Sequence, residues 1–344
     1  MVRFDNPDTL FAPASQLEVS PARARRTKPA TPIPHPQPPV FQAFPSWAGF
    51  EPTAGDTAAA AFLAAGVGLA LLDAGVRQNP PSAAAWRQRL ALQAAVASAK
   101  LLRLREDEGA LRDAIHLAVS DASGPAGRIH LLWRELATGE AAIDADRIAA
   151  AAQLVDGVDA SGLATTLHQV AAAPGDPVTT AAQAATAVFA HIPGPEGELL
   201  ACWAADLVLA TRLRWKRPAP LLLSGLLKPA LRRGATGRRP RPDEADWPQG
   251  VARAYALACA EAQGLAAQLA RRAATLLEVW PRLRARRAEQ AIELLLADDC
   301  VAPTRVARRA GLSDRAARRL FERLVELDVA REVSGRSSFR LYGL

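Results

Sequence analysis

Cysteine is scarce in this chain. Cys202, Cys259 and Cys300 are odd in number, far apart and without a C-x-x-C pair. That excludes a disulfide framework or a thiolate zinc site and points to buried thiols in a reducing cytoplasm. Aromatics are only 5% of residues, and lysine occurs four times, at Lys28, Lys100, Lys216 and Lys228. No apolar h-region follows the first basic residue, and no apolar run reads as long and charge-free enough to span a bilayer. A cytoplasmic protein with no membrane contact is therefore expected. P-loop, G-x-G-x-x-G and G-x-S-x-G patterns are all missing, so no enzymatic activity, cofactor or metal is expected. Strand-like alternation is missing before the last fifteen residues.

What remains is helix. Half of the 344 residues are hydrophobic, chiefly alanine and leucine, which favour helix over sheet. The net charge of +7 is carried by arginine. An Ala/Arg/Pro-rich, lysine-poor composition also follows from a GC-rich genome, so charge alone does not establish a nucleic-acid partner.

The fold class expected is all-α: a disordered Pro-rich leader (1–53), a helical bundle (54–227), a basic linker or loop (228–250), a long connecting helix (251–281) and a C-terminal winged helix-turn-helix (282–344). The leader "RARRTKPATPIPHPQPPV" combines a basic cluster with polyproline-like spacing and too little apolar surface to order itself. "DTAAAAFLAAGVGLALLDAGV" is apolar all round and predicts a helix in the middle of the bundle. "SAAAWRQRLALQAAVASAKLLRL" predicts a helix capped by Ser82, with Trp86, Leu90, Gln93 and Ala97 on its inner stripe and Arg87 and Arg89 off it. Further helices follow between Gly, Pro and Asp breaks, and a long one breaks or kinks at Pro281. The linker holds five arginines followed by three acids.

"PTRVARRAGLSDRAARRLFERL" fits a helix-turn-helix. Val306 and Ala310 are inward positions of the first helix, Ala307 is the small residue where two helices touch, and Gly311 supplies the turn. Leu312 plugs the core, Ser313 caps the second helix, and Ala317, Leu320 and Leu324 face inward beside Phe321. A preceding helix (287–296) and a following hairpin (329–333 with 338–342, turning at Gly335) give the winged-helix order. Arg315, Arg318 and Arg319 on the second helix, with Arg336 and Arg340 on the wing, are the candidate DNA-binding residues. Arginine forms bidentate bonds to guanine and meets phosphate. Residues 282–344 hold 14 arginines against 9 acids, a surplus of 5. Glu322 and Glu326 near the same face favour the alternative, a winged helix that only pairs proteins. Phe339 and Leu341, two apart on a strand, are expected to pack on Leu320 and Leu324, with Arg340 outward.

In the body, "RLREDEGALRDAIH" is the densest polar cluster. Asp113 and His116 are spaced to share a helix face for acid/base or metal chemistry, but ion pairs such as Glu108 with Arg112 are the simpler reading. Asp206, a lone carboxylate in "WAADLVLA", is expected to pair with an arginine.

The segments "WRQRLAL", "REDEGALRDA", "GPAGRI", "RWKRPAPLL" and "LSDRAARRLFERLVELDVAREVSGRSSFRLYGL" resemble a proteobacterial family, domain-of-unknown-function family 1403, from about residue 45 to the C-terminus. The resemblance implies no catalytic residues. The function expected is a DNA-binding accessory or transcription-regulatory protein, with double-stranded DNA as partner and a homodimer or protein partner through the bundle. The alternative is a non-enzymatic protein–protein adaptor.

Overall fold

The computed structural model describes Phe44, Trp47 and residues 57–117, 124–156, 158–233, 237–283, 288–336 and 338–344. The leader expected over 1–53 lies, apart from Phe44 and Trp47, outside the described residues.

The fold is mostly helical. α1 (Ala58–Gln78), α2 (Ala83–Leu101), α3 (Glu108–His116) and α4 (Pro125–Thr138) come first, followed by α5 (Ala145–Leu154), α6 (Leu163–Ala172), α7 (Pro177–His191) and α8 (Pro195–Arg212). α9 (Leu222–Leu226) is a short turn of helix, and α10 (Trp247–Val279) runs against α1, α7, α9 and α2. α11 (Ala288–Ala297), α12 (Pro303–Ala310) and α13 (Asp314–Glu326) lead to β1 (Arg331–Glu332) and β2 (Tyr342–Gly343).

Starts and stops follow local chemistry. Asp107, Asp144 and Asp176 each accept a first-turn amide of α3, α5 and α7, which satisfies donors that the helix cannot. Proline opens α4, α7 and α8, where its missing N–H costs nothing. α10 gives way at Trp280–Arg282 to a 3₁₀ turn containing Pro281. Ser82 stands at the start of α2 as expected, but its side chain makes no capping bond.

α8 is the centre of the bundle. Every residue from Gly197 to Ala210 is buried. α1 is not central: it packs on α10 and leaves Leu63 64% exposed, with Ala59, Gly66, Ala70 and Ala74 also exposed. The all-apolar pattern hid this because alanine and glycine on an outer face look the same in sequence as on an inner one. α1 also corrects the expectation about long apolar runs. Among the described residues it is one helix long and apolar enough to cross a membrane by length and composition, with mean hydropathy 1.9 and a third of that window buried. α2 is enclosed on more sides than its inner stripe predicted. Arg87 is 4% exposed and the Arg89 side chain 11%.

Asp206 does not meet an arginine. It accepts the Leu221 amide at 2.8 Å, the Leu222 amide at 3.2 Å and the Tyr255 hydroxyl at 3.1 Å, and so nucleates α9 instead. Backbone and phenol donors take the place of a counterion at this buried spot on α8, and no ion pair joins Asp206 among the described residues. Burial raises its pKa to about 7 against the opposing hydrogen bonds. The folded chain therefore keeps this proton up to about pH 7, whereas the unfolded chain releases it near pH 3.8. The sign is negative for rising pH: stability contributed by this group declines between about pH 4 and 7. Chemical denaturation of Asp206→Asn across that range is expected to lack this decline, and a variant with the wild-type slope would refute the assignment.

Candidate nucleic-acid interface

α12 and α13 form the two-helix element expected from the sequence. Val306, Ala307 and Ala310 are buried on α12, and Ala317, Leu320, Phe321 and Leu324 on α13. Gly311 lies in the left-handed region at φ 59°, where a side chain would be strained. Leu312 packs partly buried behind it. The Ser313 hydroxyl accepts the Ala316 amide at 3.2 Å and starts α13.

The hairpin is shorter than expected. β1 and β2 are two residues each, paired antiparallel with Arg331 opposite Gly343 and Glu332 opposite Tyr342, and Gly335 turns at φ 64°. Tyr342 also bridges back to Val301, through bonds of 2.7 and 3.0 Å, and its ring stacks on Phe321 with centroids 4.6 Å apart. Phe339 corrects the sequence reading. It sits at φ 53° and is 75% exposed, so the strand alternation that was to put it beside Leu341 is broken there. Leu341 is buried against Cys300, Ala302, Leu117 and Val333, not against Leu320 and Leu324.

Arg315, Arg318 and Arg319 are exposed, and no ion pair holds them among the described residues. They occupy the N-terminal half of α13. Glu322 and Glu326 lie in its second half, where Glu326 is matched by Arg323 at 2.8 Å. Exposed Asp314 opens the helix, so its first half carries three cations against one acid, and its second half holds Glu322, Arg323 and Glu326. Exposed Arg308 closes α12 nearby in sequence, while Arg309 meets Glu293 at 3.5 Å.

Arg336 and Arg340 form a second group. The Arg336 guanidinium is paired with Asp113 of α3, and Arg340 Nε donates to the Arg336 carbonyl at 3.1 Å. Asp113 is thus engaged by Arg336. His116 turns inward, and burial lowers its pKa to about 4, so its 3.9 Å approach to Asp298 is made by a neutral ring. No acid/base pair results. The simpler reading holds for Glu108, which binds Arg112 at 2.6 Å.

The feature that sequence reading missed is what joins this end of the chain to the body. Asp298 and Asp299 follow α11 and are buried at 3% and 2% exposure. Asp299 accepts Arg89 of α2 and, at 2.7 Å, Arg112 of α3. Asp298 accepts Arg134 of α4 at 2.8 and 3.1 Å in a bidentate pair, and Arg305 of α12 at 2.7 Å. Burial alone would raise both carboxyls, but these guanidinium groups hold Asp298 well below the usual carboxylate range and lower Asp299 as well. The signal was present in "ADDC": two acids at a helix C-terminus, where the dipole disfavours them, imply strong cationic partners. The linker arginines are likewise used internally. Arg239 pairs with buried Glu198, and Arg233 with Asp246.

Residues 38–344 match the model of a protein family of unknown function, domain-of-unknown-function family 1403. The chain belongs to that family, and the match begins somewhat earlier than the resemblance suggested. No curated protein matches it.

Proposed function

We propose that the chain is a DNA-binding accessory or regulatory protein of the cytoplasm, reading double-stranded DNA through residues 282–344 as a winged helix-turn-helix. One observation carries this reading. The N-terminal half of α13 presents Arg315, Arg318 and Arg319 to solvent, against the single acid Asp314 and with no ion pair among the described residues, in the part of a recognition helix that meets base edges and phosphates. Arg112 and Arg134 in the body, by contrast, are matched to buried carboxylates. The helix, helix, helix, hairpin order and the three free cysteines are consistent with the proposal. Titrating the full chain with mixed-sequence duplex at low salt tests it. Binding that weakens when Arg318 and Arg319 become glutamine supports the reading, and no binding at the lowest salt overturns it.

The wing adds a specific expectation. Arg336 is held by Asp113, so a phosphate must compete with that carboxylate. Asp113→Ala is expected to tighten duplex binding a few-fold, read in the same titration. An unchanged affinity would remove Arg336 from the interface.

The second reading, an adaptor that pairs proteins, is favoured by the same Arg336–Asp113 contact and by Glu322 on α13. It expects Arg315, Arg318 and Arg319 to be replaceable together without loss of cellular function.

A further inference from the structure

A groove of about 800 Å³ runs between α1, the start of α7 and the end of α8. That is the size of a small-molecule site, in which apolar walls hold the ligand and a few polar groups orient it. Phe62, Leu69, Val178 and Leu213 form its apolar lining. Along α1 the wall extends from Phe62 to Arg77, about 22 Å at the helical rise, so the groove is long. Gly66 lies on this wall, exposed in the middle of α1. Glycine weakens a helix relative to alanine, and a Cβ built here would meet nothing within 4 Å. The packing of the chain therefore does not call for glycine at this point, whereas a ligand laid close along the helix backbone would.

The polar groups gather where α1 ends. Arg77 donates to the Leu213 carbonyl at 2.9 Å, which joins the ends of α1 and α8 there. Two acids line the groove, and both are already partnered. Asp73 accepts Arg77 at 2.7 Å and the Trp215 indole at 2.7 Å. Asp176 caps α7 and accepts the Val178 and Thr179 amides at 2.9 Å. Of the three arginines on the groove, only Arg77 has a carboxylate. Arg212 donates to the Ala171 and Gly175 carbonyls, which leaves its charge unmatched, and a guanidinium has more N–H donors than these two bonds use. Exposed Arg214 joins no ion pair among the described residues. The groove is therefore apolar along its length and carries a cationic surplus at one end.

We propose that this groove binds a single-chain amphiphile with an anionic head, a long-chain carboxylate. The tail lies along Phe62, Gly66 and Leu69, and the head meets Arg212 and Arg214. The charge surplus selects an anion over a cation, and the apolar length selects a chain over a compact solute. The site is independent of any nucleic-acid contact at α13.

Titration calorimetry of the full chain tests this, with decanoate in one arm and decyltrimethylammonium in the other, both below their micellar concentrations. Decanoate should bind saturably, and the ammonium, with the same tail and the opposite charge, should bind more weakly. Gly66→Leu places a side chain in the groove where it meets no other residue, so the fold persists and the unfolding midpoint should not fall. Overfilling the groove should weaken decanoate by about tenfold or more. Ala70→Leu on the same wall serves if Gly66→Leu does not fold. Arg214→Gln should weaken decanoate and narrow its advantage over the ammonium. No saturable decanoate binding by the wild type, wild-type affinity in a folded wall variant, or an ammonium bound as tightly as decanoate would each overturn the proposal.

Discussion

Asp299→Ala is expected to be among the most destabilising single substitutions in this protein. The carboxylate is buried and receives two arginines from two helices of the body, Arg89 of α2 and Arg112 of α3. Removing it leaves both guanidinium groups desolvated, with Arg112 retaining only half-exposed Glu108. Breaking a buried pair by deleting one partner costs about 3–5 kcal/mol, far more than the pair's net worth against an apolar replacement. Denaturant unfolding should therefore shift by that amount, and amides of α11–α13 should exchange faster than those of α8. Asp299→Asn keeps the acceptor oxygen and should lose less. Acid acts in the same direction: Asp298 and Asp299 hold depressed pKa values, so their stabilisation is complete above the unfolded carboxyl pKa and is lost as pH falls below it. An Asp299→Ala protein within about 1 kcal/mol of wild type would contradict the anchoring role.

Deleting Ser338–Leu344 is the second large effect. The segment buries Leu341 completely, Tyr342 to 3% and Leu344 to 1% exposure. It also carries the Val301–Tyr342 bridge and the Val333 amide bond to the Leu341 carbonyl at 2.8 Å. Each large apolar residue contributes ~1.5–3 kcal/mol, and the Phe321–Tyr342 stack adds ~0.5–1.5 kcal/mol. The loss exceeds what a segment of three short helices can tolerate, so α12 and α13 should lose protection from hydrogen exchange. Arg340→Ala and Phe339→Ala should change the melting midpoint little, since both side chains are exposed. A truncated chain with wild-type exchange rates in α13 would show that the hairpin does not hold the helices.

The contrast between these residues explains what was legible. The α12–α13 turn could be read because its requirements are local: Gly311 for a positive φ, Ser313 for a cap, and Val306, Leu320 and Leu324 at helical spacing. Helix breaks at Gly, Pro and Asp were readable for the same reason. Of the Asp298–Asp299 anchor only the acid pair at a helix end was legible, because apart from Arg305, seven residues on, its arginines lie 164 to 210 residues away and leave no periodic trace. Asp206 was misread because backbone donors from Leu221 and Leu222, invisible in a side-chain pattern, satisfy it. Phe339 failed because a positive φ at a non-glycine residue is set by the turn around Gly335 and the return to Val301, not by its own preference. Of the candidate interface, the exposed trio on α13 follows from helical spacing, whereas the capture of Arg336 by Asp113 needed the fold.

The central claim is that Arg315, Arg318 and Arg319 meet DNA phosphates or bases, and salt dependence of duplex binding tests it most directly. For the full-length chain, the logarithm of the association constant should fall linearly with the logarithm of salt, by about 0.9 per phosphate neutralised. Replacing all three arginines with glutamine, on a surface where none supports the fold, should reduce the steepness by about two to three such contacts and weaken binding across sequences. A triple variant with the wild-type affinity and slope would contradict the account.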